Sequence, residues 1–345
     1  MDRLTSPDPQ SIGAPWLAAH PHPQAAALLA QLAQARAGQP HRYEMPFAQA
    51  RVQLLLEREP WLDDGPVCEL QDRMIRRGYR TFNAQIALPE VCDARRIVVY
   101  FHGGGWCVGS PRSHEAIVRR LAVAMACPVW SIDYALAPEH PFPQGLDDCL
   151  SAIDTVATQY PAARIVLAGD SAGANLALAA AMWLRDRRHR DKRAIPVLPA
   201  ALLLFYGVYS DQVSGASMEA FADGRFGLSL QAHVRYLQAY AAPGASSDSQ
   251  AAAPARCHAF ALTPEASLAD LPPAFLLAAE LDILRDQSVA LALALDAAGT
   301  PTSLLEMHGV FHGFLAYGKA LPDVDRAIKS AADFANRNVA LTISP

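Results

Sequence analysis

Several features that would assign this chain to a particular class of protein are missing from its sequence. No uninterrupted apolar run reaches the length needed to cross a membrane, and residues 176–184 have only the length of a core helix. Residues 1–9 lack the basic segment followed by an apolar one that is typical of a secretory signal. We therefore expect a cytoplasmic protein without membrane insertion.

Cysteine pairs and positive net charge are also absent. The six cysteines form no Cys-x-x-Cys pair and no zinc-type spacing, which favours free thiols in a reducing compartment and no metal site. The formal net charge of −5 argues against general affinity for nucleic acids. The one basic run, residues 185–193, contains two aspartates, and we interpret it as a solvated helix end.

What is present is a large apolar content arranged in alternating patterns. The chain has 345 residues, 52% of them hydrophobic, which is enough to bury a sizeable core. From about residue 70, strand-like apolar runs alternate with helical patterns, which predicts an α/β fold with a mostly parallel sheet between helices. The predicted strands are 97–101, 129–132, 165–168, 200–206, 274–279 and 303–308, and the predicted helices are 114–125, 145–158, 172–187, 287–298 and 323–336.

Two segments depart from this alternation. Residues 1–60 are rich in proline and then amphipathic, with helical spacing between residues 24 and 38. Residues 211–257 contain a helical pattern at 230–241 and a polar tail at 243–249. We predict that 61–345 form the main domain, that 1–60 form a helical cap, and that the 211–257 insertion contributes to this cap. The alternative is that both segments pack on the periphery.

The most informative motif is Gly-Asp-Ser-Ala-Gly at residues 169–173, between a predicted strand and a predicted helix. In so tight a turn, side chains two positions from the serine would collide with backbone, and the serine is held strained with its hydroxyl exposed. The helix that follows directs its N–H groups to the same place. The motif predicts Ser171 as a nucleophile, although alone it also fits an ordinary strand-to-helix turn.

A glycine-rich loop precedes this motif in the chain. The predicted strand 97–101 leads directly into His-Gly-Gly-Gly-Trp at residues 102–106. Successive glycines allow backbone N–H groups to face a substrate oxygen. A phosphate-binding loop would end in Gly-Lys followed by Ser or Thr, which this loop lacks. We therefore predict an oxyanion-binding loop, which His102 fixes by hydrogen bonds.

Acids and histidines follow the last two predicted strands. Asp282 is our choice for the acid that orients a histidine, with Glu280 and Asp286 as competitors. Of two histidines after the final strand, His312 is preferred to His308 as the general base. The order serine, aspartate, histidine along the chain is one of the known orders of catalytic triads.

Together with Asp-Tyr-Ala-Leu-Ala-Pro-Glu at residues 133–139, these motifs resemble the bacterial hormone-sensitive-lipase-like esterases over about residues 70 to 340. The resemblance implies an α/β-hydrolase fold with a helical cap, and it makes 61–345 the catalytic domain. It also implies hydrolysis of small carboxylic esters, mostly with short or medium acyl chains, and no cofactor.

The resemblance also implies a role for each site residue. Ser171 becomes the nucleophile, His312 the base and Asp282 the orienting acid of an acyl-enzyme mechanism. The oxyanion hole comprises the loop glycines and the residue after the serine. Its members are Gly103, Gly104, Gly105 and Ala172, of which Gly103 shapes the loop and the other three donate N–H groups.

The sequence departs from the family pattern at three positions. Ala174 replaces a second glycine after the serine motif, Ile283 replaces a proline after the acid, and Ala135 replaces an arginine. None of these changes removes a catalytic group. Ala174 adds one methyl group behind the nucleophile, which makes it a candidate determinant of selectivity.

Other functions remain compatible with the same residues. An amidase or an acyltransferase would use the same triad, and a receptor for small molecules would retain the pocket without the chemistry. The intact serine, histidine, aspartate and glycine loop argue against the receptor. The apolar edges of the final strand and its helix are a candidate contact for a homodimer.

Overall fold

The computed structural model describes residues 20–190, 198–241 and 258–341, and a central sheet of eight strands organises them. The strands are β1 (Glu69–Arg77), β2 (Arg80–Leu88), β3 (Arg96–Phe101), β4 (Val129–Ile132), β5 (Arg164–Asp170), β6 (Ala201–Phe205), β7 (Ala274–Leu281) and β8 (Thr302–Phe311). The α-helices described are α1 (Pro23–Ala35), α2 (Phe47–Arg58), α3 (Glu115–Met125), α4 (Gln144–Gln159), α5 (Ala172–Arg190), α6 (Ala216–Ala220), α7 (Leu230–Tyr240), α8 (Arg285–Ala297) and α9 (Asp323–Leu341).

The sheet has the strand order β1-β2-β4-β3-β5-β6-β7-β8. Strands β3 to β8 pair in parallel, whereas β2 is antiparallel to both β1 and β4. The apolar residues of β3 and β6 are fully buried because helices cover both sides of a parallel sheet. The parallel strands end at one edge of the sheet, which is where ligands bind in folds of this class.

The predicted strands and helices of the main domain are all present, with ends that differ by a few residues. The sequence pattern did not indicate β1 and β2, which form an antiparallel hairpin at one edge. Only Ile75 is buried in β1, so this strand has no continuous apolar run that would mark it. Helix α2 was missed for a similar reason, because only Ala50 and Leu54 are buried in it.

The interpretation of the basic run as a solvated helix end is wrong for its first residue. Arg185 is buried near the end of α5, where it donates to the carbonyl oxygens of Ser267 and Ala269 and pairs with Asp186. The residues from 188 to 190 are exposed, and 191–193 lie outside the described residues.

The N-terminal segment contacts the insertion. Arg235 of α7 donates to the carbonyl oxygens of Tyr43 and Met45, and its guanidinium lies 4.1 Å from the centre of the Phe47 ring. Tyr236 makes an edge contact with Tyr43 at 5.9 Å between ring centres. The polar tail at 243–249 lies outside the described residues, and the domain boundaries stay a prediction.

The described helices include none that is long and apolar enough to span a membrane. Five cysteines in the described ranges are free thiols, and Cys257 lies outside them. These five are Cys68, Cys92, Cys107, Cys127 and Cys149.

Candidate active site

The predicted site residues come together at the ends of the parallel strands. Ser171 follows β5, Asp282 follows β7, His312 follows β8, and the glycine loop at 102–106 follows β3. These strands are neighbours or near neighbours in the sheet, so their ends converge.

The turn at Ser171 has the strained geometry that the motif predicts. Ser171 has a φ of +54°, in the left-handed region, and its N–H donates to the Phe205 carbonyl oxygen at 2.8 Å. A side chain at Gly173 would place its Cβ 1.9 Å from the carbonyl oxygen of Phe101, so only glycine allows this close approach of α5 to β3. The turn therefore presents the Ser171 hydroxyl above the sheet.

The serine, histidine and aspartate form a continuous hydrogen-bonded relay. Ser171 Oγ lies 3.0 Å from His312 Nε2, and His312 Nδ1 lies 2.6 Å from Asp282 Oδ2. The other Asp282 oxygen accepts the Leu284 N–H at 2.9 Å, which fixes the orientation of the carboxylate. The ring of Tyr206 makes an edge contact with the His312 ring at 5.1 Å between centres.

The competing acids and the second histidine lie outside this relay. Glu280 accepts the Gly309 N–H at 2.7 Å and lies 3.5 Å from His308, whose side chain is 66% exposed. Asp286 accepts the Ser217 N–H at 2.9 Å and pairs with an arginine of α8. The structure thus brings Asp282 to His312 and places the alternatives elsewhere.

A buried aspartate holds the glycine loop. Asp170 Oδ1 accepts hydrogen bonds from the Tyr100 hydroxyl at 2.6 Å and from the Gly103 N–H at 2.8 Å. Burial opposes ionisation of Asp170, but the charge of His114 and these hydrogen bonds outweigh it and lower its pKa to about 2. The N–H of Gly103 is thus engaged by Asp170 and is not free to donate to another acceptor.

Three other N–H groups around the serine are unengaged. Within the described ranges, the N–H groups of Gly104, Gly105 and Ala172 donate to no protein acceptor. Gly104 has a φ of +119°, and a Cβ there would lie 2.1 Å from the carbonyl oxygen of Val108. Only glycine can adopt this conformation in this space, and it leaves the N–H unpaired.

His102 contacts the loop that it precedes. Its Nδ1 lies 2.9 Å from the Gly103 carbonyl oxygen, and its ring stacks on Tyr134 with 4.3 Å between centres. Burial, reinforced by the charge of His114, lowers the pKa of His102 to about 3. His102 is therefore neutral at physiological pH, and we assign its proton to Nδ1, which donates to that carbonyl.

A cavity of about 400 Å³ lies above the relay. It is lined by Ser171 and His312 from the strand ends and by residues of α1, α2 and α7. Ala174 is fully buried and does not line the cavity, so we expect no direct contact between its methyl group and a substrate.

Arg58 of α2 and His233 of α7 are among the polar lining residues that sequence reasoning missed. His233 is 2% exposed and its Nε2 has no hydrogen-bond partner among the described residues. Burial, together with the charge of His312, lowers the pKa of His233 to about 4. Neither residue belongs to a motif, and only the packing of distant segments brings them to the cavity.

The side chains described include no group of three or more histidines, cysteines or acids that could hold a metal ion. The relay and the unengaged N–H groups are suited to nucleophilic attack on a carbonyl carbon, followed by stabilisation of the oxygen anion.

Comparison with known proteins places the fold in a known family. A family described as having the alpha/beta hydrolase fold matches residues 98–316. The chain is similar to the ester hydrolase EH1AB1 from the metagenome of Lake Arreo, at 30% identity over 94% of this chain and 100% of that one, with a TM-score of 0.79. It is also similar to a hyperthermophilic esterase from the archaeon Pyrobaculum calidifontis, at 27% identity over 93% of this chain and 99% of that one, with a TM-score of 0.80. The chain therefore belongs to the α/β-hydrolase family, among the hormone-sensitive-lipase-like esterases that its motifs resemble.

Proposed function

We propose that this chain hydrolyses carboxylic esters with short to medium acyl chains, through a triad of Ser171, His312 and Asp282. The observation that carries the proposal is the 3.0 Å contact between Ser171 Oγ and His312 Nε2. A base within hydrogen-bond distance of a hydroxyl, itself oriented by a carboxylate, is the arrangement that activates a serine nucleophile.

In the first step, Ser171 Oγ attacks the ester carbonyl carbon while its proton passes to His312 Nε2. The buried Asp282 stabilises the imidazolium that forms, through its hydrogen bond to Nδ1–H. His312 then gives its proton to the departing alcohol oxygen. The products of this step are the free alcohol and an acyl group bound to Ser171.

The developing oxygen anion would be bound by the N–H groups of Gly104, Gly105 and Ala172. Their lack of protein acceptors supports this assignment, because a substrate oxygen can then be bound without breaking existing hydrogen bonds. One such donor contributes about 3 kcal/mol to the stabilisation of the transition state.

Water completes the cycle by the same relay. His312 takes a proton from a water molecule, which attacks the acyl carbon, and then returns a proton to Ser171 Oγ as the acid leaves. No cofactor takes part in these steps. The cavity of about 400 Å³ above Ser171 is of a size that supports short and medium acyl chains, and we propose that α1, α2 and α7 form the cap over it.

The proposal is tested by hydrolysis of p-nitrophenyl acetate, butyrate and laurate. We expect faster turnover of acetate and butyrate than of laurate, and a fall in kcat of about 10⁴-fold or more in Ser171→Ala. Ser151→Ala is the matched control, because among the described residues the Ser151 hydroxyl bonds only to the Asp147 carbonyl oxygen, within α4.

Two results would overturn this function. Turnover by Ser171→Ala at the wild-type rate would show that Ser171 is not the nucleophile. Faster cleavage of p-nitroanilides than of the matching esters would assign the triad to amide hydrolysis instead.

A further inference from the structure

Arg58, the last residue of α2, faces the same cavity as the proposed nucleophile. Its Nη2 lies 3.8 Å from the position that a Cβ on Gly313 would take, and Gly313 directly follows His312. Its guanidinium carbon lies 4.8 Å from the centre of the Tyr317 ring. Arg58 therefore places a positive charge beside the loop that carries the catalytic base.

This guanidinium has no anionic partner within the described ranges. Its Nε and Nη1 are buried without any hydrogen-bond partner there, and no carboxylate lies within 4 Å. Three acids close to Arg58 in the chain have partners of their own. Glu57 pairs with Arg42, Asp63 with Lys319, and Asp64 with Arg120.

Two neighbouring arginines of the cap have hydrogen-bond acceptors of the kind that Arg58 lacks. Arg36 donates to the carbonyl oxygen of Leu32, and Arg235 donates to two backbone carbonyl oxygens. The face of Tyr317 stabilises the charge of Arg58 but offers no acceptor to the N–H groups in the guanidinium plane. Buried N–H donors that are left unpaired are costly, and donors of this kind beside a cavity favour a ligand that accepts hydrogen bonds from them.

The charge balance of the cavity also favours an anion. Three arginines line it, Arg36, Arg42 and Arg58, against two carboxylates, although the chain as a whole has a net charge of −5. One of the two carboxylates, Glu57, is neutralised by Arg42. The other, Asp170, is engaged by Tyr100 and Gly103. Arg36 and Arg58 have no carboxylate partner among the described residues. Arg36 is hydrogen-bonded to the Leu32 carbonyl oxygen and contacts His41, so Arg58 is the one of the two whose buried N–H groups lack an acceptor.

We propose that Arg58 binds a carboxylate on the substrate, and that the preferred substrates are half-esters of short dicarboxylic acids. A planar guanidinium matches a carboxylate with two parallel hydrogen bonds, and such charge-assisted bonds are stronger than those between neutral groups. The scissile ester would lie at Ser171 and the free carboxylate at the α2 side of the cavity. This inference rests on the proposed ester hydrolysis.

The test compares two esters that differ in one terminal group, p-nitrophenyl valerate and p-nitrophenyl hydrogen glutarate. For each ester, the rate measured with Ser171→Ala is first subtracted. The readout is then kcat/KM for the charged ester divided by kcat/KM for the neutral ester. We expect this ratio to fall by at least about 10-fold in Arg58→Gln and to be partly restored in Arg58→Lys. Arg73→Gln is the matched control, because it removes the same charge from an exposed position on β1.

The wild-type enzyme supplies a second measurement that does not depend on the folding of a variant. If a charge in the cavity attracts the carboxylate, added NaCl should lower the ratio in the wild type. An equal ratio in Arg58→Gln and Arg73→Gln would overturn the inference, and so would a wild-type ratio that salt leaves unchanged.

The two proposals fail in different ways. If the wild type hydrolyses neither ester, ester hydrolysis itself is refuted, and the inference about Arg58 falls with it. If it hydrolyses the valerate through Ser171 but Arg58→Gln leaves the ratio as it was, only the role of Arg58 is refuted.

Discussion

At the scale of single residues, the two carboxylate oxygens of Asp282 contact different neighbours. Asp282 is 1% exposed, and one of its carboxylate oxygens meets His312 Nδ1 at 2.6 Å while the other accepts the Leu284 N–H. The first contact selects the His312 tautomer with its proton on Nδ1, which leaves Nε2 free to accept the proton of Ser171. The second contact prevents the carboxylate from turning away.

This division of tasks predicts the effect of Asp282→Asn. The amide retains the shape of the side chain, but its NH₂ group can face Nδ1 and select the wrong tautomer of His312. We expect kcat for p-nitrophenyl butyrate to fall by roughly 10³–10⁴-fold, with a smaller change in KM. Steady-state kinetics at pH 8 measure both constants.

Glu280→Gln is the control for this change, because Glu280 is the competing acid that the structure places outside the relay. The glutamine carbonyl can still accept the Gly309 N–H. We expect a kcat near that of the wild type, and a loss as large as that of Asp282→Asn would refute the assignment of the acid.

Among the structural elements, the loop at 102–106 is the one whose proposed role depends most on backbone conformation, because that role is to present N–H groups. It runs from the end of β3 under the cavity, where Asp170 holds Gly103 and the next two N–H groups remain unengaged. The side chain of Trp106 anchors its far end by donating to Asn175 Oδ1 at 3.2 Å and by stacking on Tyr240. The loop is thus fixed at both ends.

A methyl group in this loop should reduce catalysis. In Gly104→Ala, the new Cβ would lie 2.1 Å from the Val108 carbonyl oxygen at a φ of +119°, so the loop must shift and move its N–H groups. We expect kcat/KM for p-nitrophenyl butyrate to fall by about 10²–10³-fold, the cost of a lost oxyanion donor.

The matched control is Gly78→Ala, in the turn between β1 and β2. Gly78 also has a positive φ, +57°, but a Cβ there meets no atom within 4 Å. We expect a stability cost of about 1–2 kcal/mol and no change in kcat/KM. If the two variants have the same activity, the loop is not the oxyanion site.

The elements that sequence patterns predicted share a physical property. Strands β3 and β5 to β7 are almost wholly buried, so their sequences are continuous apolar runs. β1 contributes one buried side chain and α2 contributes two. Because few of their positions must be apolar, their sequences show little hydrophobic pattern. Few buried residues therefore explain why β1 and α2 were missed, and α2 carries Arg58. They do not explain β2, which was missed although four of its residues are buried.

Across the whole molecule, burial keeps several histidines neutral. The pKa of His102 is lowered to about 3 and that of His233 to about 4, whereas an unfolded chain has histidines with a pKa near 6.5. Below pH 6.5 the unfolded chain therefore takes up protons that the native protein does not. The free energy of unfolding decreases as the pH falls from 6.5 towards 4.

This linkage predicts the behaviour of His233→Gln. Between pH 7 and pH 5, each such histidine lowers the free energy of unfolding by about 2 kcal/mol. The variant should therefore lose about 2 kcal/mol less stability over this interval than the wild type. Urea unfolding followed by tryptophan fluorescence at both pH values measures the difference, and identical pH dependence of the two proteins would contradict the burial of His233 as a neutral group.

The relay was more predictable from sequence than the cavity above it. Ser171, Asp282 and His312 each follow a buried strand, and parallel strands bring their ends to one edge of the sheet. The cavity is completed by segments as distant as α2 and α7, whose meeting depends on side-chain packing such as Arg235 on Phe47. No local sequence pattern encodes such a meeting, so the position of Arg58 emerged only from the structure.

Activation of Ser171 is tested most directly by covalent labelling with diethyl p-nitrophenyl phosphate, which reacts with an activated serine. Peptide mass spectrometry locates the label. The relay predicts one diethylphosphoryl group per chain, on the peptide that contains Ser171, with loss of esterase activity in proportion to labelling and no label in Ser171→Ala. Labelling of another residue that accompanies the loss of activity, or full activity in a protein labelled at Ser171, would contradict Ser171 as the nucleophile.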